Sequence, residues 1–212
     1  STAVYAALGK YISGGLTSVA AGTGAYTFDT NATTNSANVK TISNIENITG
    51  STGRDYIVGT DADNVITGGA GADYLKGGLG VDTFVYAAAT GASATATLAT
   101  ALTLAAGDTI VGAEVIADIA AGDKIDLGNA SAAEVASHGL LLAPDKYTIA
   151  QGTYDAVTGT FTVGTGGSTG ADSILYWDTD SATAGVQAGF VVLLGVVTAE
   201  EGTATSGVIT FA

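Results

Sequence analysis

Residues 50–85 divide into four consecutive units of nine residues, and this strict period constrains the fold more than any other feature of the chain. Each unit begins with Gly, carries Asp or Asn at its sixth position and has a large apolar residue at its eighth. Residues 41–49 keep an acid, Glu46, and an apolar residue, Ile48, at those two positions but lack the glycines, so we interpret them as a degenerate first unit. The four complete units are GSTGRDYIV (50–58), GTDADNVIT (59–67), GGAGADYLK (68–76) and GGLGVDTFV (77–85).

This repeat predicts a tight loop followed by a very short strand in every unit. Glycine adopts positive φ at little cost, so six residues can wrap tightly and direct their carbonyl oxygens inwards. The apolar eighth residue then points into a thin core. Because one unit cannot bury that face alone, the units are expected to stack on one another.

The sixth position carries the chemistry. Asp55, Asn64, Asp73 and Asp82 lie where a loop becomes a strand, so stacked loops bring their side-chain oxygens together. Carboxylate and carbonyl oxygens form an all-oxygen cage, which suits calcium better than magnesium or zinc. The alternative is a glycine-rich β-solenoid or hairpin array whose aspartates are only solvated turn residues.

The units resemble the glycine- and aspartate-rich nonapeptide of the RTX family, and GGAGADYLK and GGLGVDTFV match it in full. The resemblance implies a parallel β-roll with two nonapeptides per turn and several calcium ions between same-side loops of successive turns. Loop 50–55 then faces loop 68–73, and loop 59–64 faces loop 77–82.

The ligands implied by this resemblance lie at matching positions of the four loops. The second unit departs from the pattern at Asp61, Ala62 and Asn64, so a weaker or differently liganded ion is expected there. The candidate ligands in the repeats are Gly50, Thr52, Asp55, Gly59, Asp61, Asp63, Asn64, Gly68, Ala70, Asp73, Gly77, Leu79 and Asp82.

A segment beyond the repeats extends this resemblance. Residues 122–127 read GDKIDL, which is similar to the segment that follows the roll in serralysin-type secreted proteases and other RTX proteins. On this match we add Asp118, Asp123 and Asp126 as candidate calcium ligands. Asp108 and Glu114 lie nearby but are not assigned as ligands.

Composition excludes several kinds of site. Six Lys and Arg against 20 Asp and Glu give a net charge of −14, which disfavours nucleic acid as a partner. Cysteine is absent, so there are no disulfides or thiolate metal sites, and the single histidine, His138, cannot form a multi-histidine zinc site. No apolar run is long enough to span a membrane, and no cleavable signal is visible at the N-terminus, so we expect a fragment or a processed piece.

The predicted fold class is all-β, with a parallel β-roll followed by an antiparallel, strand-rich C-terminal cap that contains one short helix. The boundaries are 1–40 for N-terminal strands, 41–86 for the roll and 87–212 for the cap with a secretion signal. Ser131 and Glu134 form a capping-box pattern that predicts the helix over 131–138. Residues 87–106 are equally compatible with helix and strand.

The functional prediction is a calcium-binding domain without enzymatic activity, because no HExxH, Walker or nucleophile-elbow motif occurs. We expect a secreted, cell-surface location, export by a type I secretion apparatus, and self-association or binding to cell-surface polysaccharide. No membrane insertion is expected. The parent protein is predicted to be an S-layer protein or adhesin, and the alternative is an extracellular protease or lipase.

Overall fold

The computed structural model describes residues 18–29, 39–50, 55–86, 95–97, 106–128, 133–134, 146–165, 169–178, 188–196 and 207–211. These residues form strands that join into one continuous hydrogen-bonded sheet, which confirms the all-β class. The strands are β1 (Ser18–Asp29), β2 (Val39–Thr49), β3 (Tyr56–Val58), β4 (Val65–Thr67), β5 (Tyr74–Lys76), β6 (Thr83–Val85), β7 (Thr95–Thr97), β8 (Thr109–Val111), β9 (Glu114–Ile116), β10 (Lys124–Asp126), β11 (Ala133–Glu134), β12 (Lys146–Asp155), β13 (Thr160–Val163), β14 (Asp172–Asp178), β15 (Ala188–Leu193) and β16 (Val208–Thr210).

Two layers of parallel strands form the roll. The first layer contains β2, β4, β6 and β10, and the second contains β3, β5, β9 and β15. The chain passes from one layer to the other through each nonapeptide loop, so one turn of the roll takes two units. This arrangement is the parallel β-roll that the RTX resemblance implies.

The apolar eighth residues of the units fill the space between the two layers. Ile66 pairs with Phe84 along the first layer, and Ile57 pairs with Leu75 along the second. All four side chains are fully buried. Burying one such side chain contributes ~1.5–3 kcal/mol to folding, so the repeat supplies its stabilisation at regular intervals.

The roll continues beyond the nonapeptides. In β9, Ile116 pairs with Leu75, and in β10, Ile125 pairs with Phe84. Both isoleucines are fully buried in the same core. The segment that contains GDKIDL therefore adds another turn to the roll and does not merely follow it.

Two strands lie at the ends of the first layer. β1 pairs antiparallel with β2 and also contacts β3, so it joins the two layers at the N-terminal end of the roll. β16 pairs antiparallel with β10 at the opposite end. The N-terminal strands predicted before residue 41 correspond to β1 and to the start of β2.

The C-terminal strands form an antiparallel arrangement, as predicted. β12 pairs with β13 and β14, and β14 pairs with β15. The meander joins the second layer edge to edge, because β15 pairs in parallel with β9. A second apolar cluster supports it, and its fully buried members include Ile110, Phe161, Ile174 and Val192.

The predicted helix over 131–138 is wrong where the structure describes it. Ala133 and Glu134 form β11, which pairs in parallel with Lys146 and Tyr147 of β12. Backbone hydrogen bonds to a long neighbouring strand override a local capping pattern, because tertiary context outweighs helix propensity. Ser131 and His138 lie outside the described residues. Across the described segments, no helix has the length and apolar character needed to cross a membrane.

Candidate metal centre

Glycines shape the loops of the third and fourth units. Gly69, Gly71, Gly78 and Gly80, at the second and fourth positions, have φ values of 103°, 133°, 107° and 100°. Residues with a Cβ rarely adopt these angles. A Cβ on Gly78 would also clash with the carbonyl oxygen of Thr60 in the neighbouring loop. The loops therefore stack with their backbones in direct contact.

The loops form two stacks, one on each side of the roll. The first-side loops lead from the first layer to the second; they are 68–73 and the loop of which the structure describes Gly50 and Asp55. The second-side loops, 59–64, 77–82 and 118–123, lead back from the second layer to the first. The same-side pairs implied by the RTX resemblance are therefore neighbours in the structure.

Sixth-position side chains link successive turns on each side. On the first side, Asp73 Oδ1 accepts a hydrogen bond from the Asp55 amide at 2.7 Å. On the second side, Asp82 Oδ1 accepts one from the Asn64 amide at 2.8 Å. Asp123 Oδ1 repeats this contact with the Asp82 amide at 2.9 Å. Asp123 thus occupies the sixth position of a loop that begins at Asp118.

Loop oxygens converge beside the first-position glycines. A Cβ built on Gly50 would fall within 3.0 Å of both the Gly68 carbonyl oxygen and the Asp55 carboxylate. One of these oxygens comes from the backbone of the next turn and the other from the side chain of the same turn. Calcium accepts such a mixed set of carbonyl and carboxylate ligands. The equivalent oxygens beside Gly59 belong to Gly77 and Asn64.

Negative charge accumulates on the second side. The pKa of Asp82 is raised to about 6, chiefly by burial and also by the carboxylates of Asp123 and Asp118, against the opposing hydrogen bond from the Asn64 amide. Burial also raises the pKa of Asp118 and of Asp123. Asp82 Oδ2 is buried and has no hydrogen-bond partner in the described part of the chain. A divalent cation would both satisfy this oxygen and reduce the repulsion.

Side chains alone do not form the centre. Among the residues that the structure describes, no group of three or more His, Cys, Asp or Glu side chains is placed to hold a metal ion. A site here has to take backbone carbonyl oxygens as well. Calcium accepts six to eight oxygen ligands with flexible geometry, so the loops fit this ion better than magnesium or zinc.

Three other predicted acids have distinct positions. Asp118 accepts hydrogen bonds from the amides of Gly77 (2.9 Å) and Gly78 (3.2 Å). Its carboxylate thus takes the place of the backbone carbonyl of a following turn. Asp63 is exposed and accepts a hydrogen bond from the Val81 amide at 2.8 Å. Asp126 accepts one from the Gly128 amide at 2.8 Å, within a turn after β10. The structure does not bring Asp126 to the loop oxygens.

The remaining candidates are in the loops but differ in exposure. Asp61 and Leu79 are exposed and Ala70 is half-buried. Leu79 and Ala70 have no side-chain oxygen, so only their backbone carbonyls could be ligands. The Leu79 amide donates to the Thr60 carbonyl at 3.0 Å and ties the second-side loops together. Thr52 lies outside the described residues.

The sequence prediction missed the position of Glu114. Glu114 lies next to Asp73 in the second layer, since Val115 pairs with Tyr74 and Ile116 with Leu75. Its side chain is buried, with 1% exposed. The signal was present, because Glu114 and Ile116 repeat the spacing between the sixth and eighth positions, as Asp123 and Ile125 do.

Comparison with protein families gives one match. Residues 49–84 match the family model described as the RTX calcium-binding nonapeptide repeat, in four copies. The comparison with curated proteins finds no match. Repeats of this family bind calcium and are typical of secreted extracellular proteins.

Proposed function

Because residues 49–84 are RTX calcium-binding nonapeptide repeats, we propose that this chain is a calcium-binding structural and secretion domain of an extracellular surface protein, an S-layer protein or adhesin. It folds and assembles when it binds calcium after type I export. The observation that supports this most directly is the buried oxygen Asp82 Oδ2, which lies among other carboxylates without a hydrogen-bond partner in the described residues.

The residues that would hold calcium lie in the stacked loops. On the first side they are Asp55, Asp73 and the Gly68 carbonyl, and on the second side they include Asp82 and Asp123. The ion supplies positive charge and an oxygen-coordinating centre when bound. The chain positions the oxygens, excludes water through the buried eighth-position residues, and holds successive turns at hydrogen-bonding distance.

The free energy of calcium binding then adds to the stability of the folded chain. A ligand that binds only the folded form stabilises it by RT ln(1 + [L]/Kd), which is ~2.7 kcal/mol per site at a concentration of 100 Kd. At low calcium the like-charged loops repel one another, and the chain stays loose enough for export. At extracellular calcium concentrations the loops gain their counter-ions and the roll forms.

The surface role is proposed on composition and on the lack of a catalytic motif in the sequence. The chain is rich in Ala, Gly, Thr and Val, strongly acidic, and free of Cys and Met, which is a lattice-like composition. We propose that its partners are the type I secretion apparatus, and either other copies of itself or a cell-surface polysaccharide. The domain has no enzymatic activity of its own in this proposal.

A second candidate is the non-catalytic secretion domain of an extracellular protease or lipase. The observation that favours it is the turn formed by residues 118–127, which resembles a segment of secreted proteases. Calcium-dependent sheets or large assemblies of this chain, seen by electron microscopy, would favour the surface role. A catalytic motif in the adjoining coding sequence would favour the second candidate.

The test of calcium-linked folding is far-UV circular dichroism of the metal-stripped chain, titrated separately with calcium and magnesium. We expect a cooperative gain of β signal with calcium alone. A chain that is fully folded without metal and does not respond to calcium would refute the proposal, since the aspartates would then be ordinary turn residues.

A further inference from the structure

Among the described residues, the first side of the roll has only the two ends of a third loop. Tyr86 occupies the place of its first glycine, because its amide donates to the Asp126 carbonyl at 2.7 Å as the Gly50 amide donates to Thr67 at 2.8 Å. Glu114 occupies the place of its sixth residue. Between them, the described strands β7 (Thr95–Thr97) and β8 (Thr109–Val111) pair with each other, and β8 also pairs with β13, outside the two layers of the roll.

The Glu114 side chain brings an oxygen into the gap left by this loop. A Cβ on Gly68 would fall within 3.0 Å of both Glu114 Oε1 and Asp73 Oδ2. At the equivalent point beside Gly50, the matching oxygens are the Gly68 carbonyl and the Asp55 carboxylate. Glu114 Oε1 therefore stands where the next loop would have supplied a backbone carbonyl oxygen.

Glu114 is buried without compensation from the protein. Only 1% of the residue is exposed, and within the described segments neither carboxylate oxygen has a hydrogen-bond partner. The Tyr86 hydroxyl is close enough to influence Glu114 but does not form a hydrogen bond of good geometry. An ionised carboxylate in this position is costly unless a positive charge accompanies it.

We propose that Glu114 is the calcium ligand that closes a further site on the first side of the roll, which it shares with the Gly68–Asp73 loop. This inference rests on the proposed calcium-binding function and extends it to a residue outside the nonapeptides. The two carboxylates and the loop carbonyls form an oxygen set of the kind that calcium selects.

The site couples two parts of the chain. Glu114 begins β9, which pairs with β5 of the nonapeptides on one edge and with β15 of the C-terminal meander on the other. An ion held by both the Gly68–Asp73 loop and Glu114 fixes β9 onto the roll. Calcium binding therefore orders the C-terminal sheet as well as the repeats.

Terbium(III) offers a probe that is specific to this place. It occupies calcium sites, and nearby aromatic rings excite its luminescence. Trp177 is the sole tryptophan of the chain, and its ring lies 5.3 Å from the ring of Tyr86, beside Glu114. Selective excitation of tryptophan should therefore report an ion at Glu114 in preference to ions elsewhere in the roll.

The experiment compares the full wild-type chain with Glu114→Gln, which keeps the shape of the side chain and removes its charge. We expect Glu114→Gln to lose most of the tryptophan-excited terbium emission and to bind one calcium ion fewer by titration calorimetry, or to bind that ion at least about 10-fold more weakly. Without metal, the variant should keep more β signal than the wild type, since the buried carboxyl group is gone.

A matched control is Asp155→Asn, which removes one exposed carboxylate in the turn between β12 and β13. It should leave both readouts unchanged. If Glu114→Gln does not fold even in calcium, Glu114→Asp replaces it, because this variant keeps the charge and withdraws the oxygens by one carbon. Wild-type emission and ion number in the variant that folds would overturn the inference. A wild-type chain that binds no calcium would refute the proposed function itself.

Discussion

Asp82→Asn tests the proposed role of buried charge in the loops. The substitution should stabilise the fold without calcium and weaken the stabilisation that calcium provides. In the metal-free chain, burial and neighbouring carboxylates raise the pKa of Asp82 from 3.8 to about 6. The folded chain therefore binds this proton more tightly than the unfolded chain. The contribution of Asp82 to the stability of the fold is therefore most favourable below about pH 4, and it declines as the pH rises to about 6.

The magnitude follows from the same two values. At 1.36 kcal/mol per unit of pKa, ionising Asp82 costs the metal-free fold at most about 3 kcal/mol above pH 6. Solvent screening reduces this cost, so we expect a value of roughly 1.5–3 kcal/mol, with the upper figure as the limit. The Asn side chain at position 82 keeps the oxygen that accepts a hydrogen bond from the Asn64 amide. The variant therefore removes the charge without removing the hydrogen bond.

The assay is far-UV circular dichroism between pH 4 and pH 7, read as the residual β signal of the metal-free chain and as the urea denaturation of the calcium-bound chain. Metal-free Asp82→Asn should keep more β signal than the wild type at pH 7 and the same β signal at pH 4. In saturating calcium it should gain less stability than the wild type. A difference between the two chains that does not change with pH would refute the assignment of the cost to Asp82.

The sequence offers the reverse substitution as a control. Asn64 occupies the sixth position of the second unit, one turn before Asp82 on the same side. Asn64→Asp should lower the stability of the metal-free chain at neutral pH and enlarge its gain with calcium. Equal responses of the two variants to calcium would contradict a charge-based mechanism.

Two further substitutions test the packing of the roll. Phe84→Ala empties a fully buried position between the layers and should cost about 3–5 kcal/mol in urea denaturation with calcium, whereas Val111→Ala at an exposed position should cost far less. Losses of stability of similar size in Phe84→Ala and Val111→Ala would show that Phe84 is not a core residue. Gly78→Ala should destabilise the roll more than Gly107→Ala in thermal melts, because both glycines have positive φ but only the Cβ at Gly78 meets the Thr60 carbonyl. Equal melting temperatures would argue against close stacking of the loops.

The repeat made the roll predictable, because its period of nine fixes which residues face inwards. Ile57, Ile66, Leu75 and Phe84 were identified by position alone and are buried together. Asp123 was found through a short resemblance, and its hydrogen bond to the Asp82 amide places it in the ladder. Local spacing is sufficient wherever consecutive units stay in sequence.

Other features depended on contacts between distant segments. Strands β7 and β8 separate Glu114 from Tyr86 in the sequence and pair outside the two layers of the roll, so no continuous period leads to Glu114. At Ala133 and Glu134 the local pattern favoured a helix, but pairing with β12 decides the conformation. The edge-to-edge union of β15 with β9 likewise has no local signature. Each case was decided by long-range strand pairing, on which local sequence carries little information.

The pairing order of the sheet also bears on how copies of the chain could associate. In the described residues the sheet ends in β16 on one side and β7 on the other, and each is three residues long. β1 pairs with β2 on one edge and meets β3 only at Thr27 on the other. Strands this short provide few hydrogen bonds for end-to-end addition. Under the proposed surface role, addition through β16 or β7 would therefore contribute little to contacts between copies, and those contacts would have to come from other surfaces.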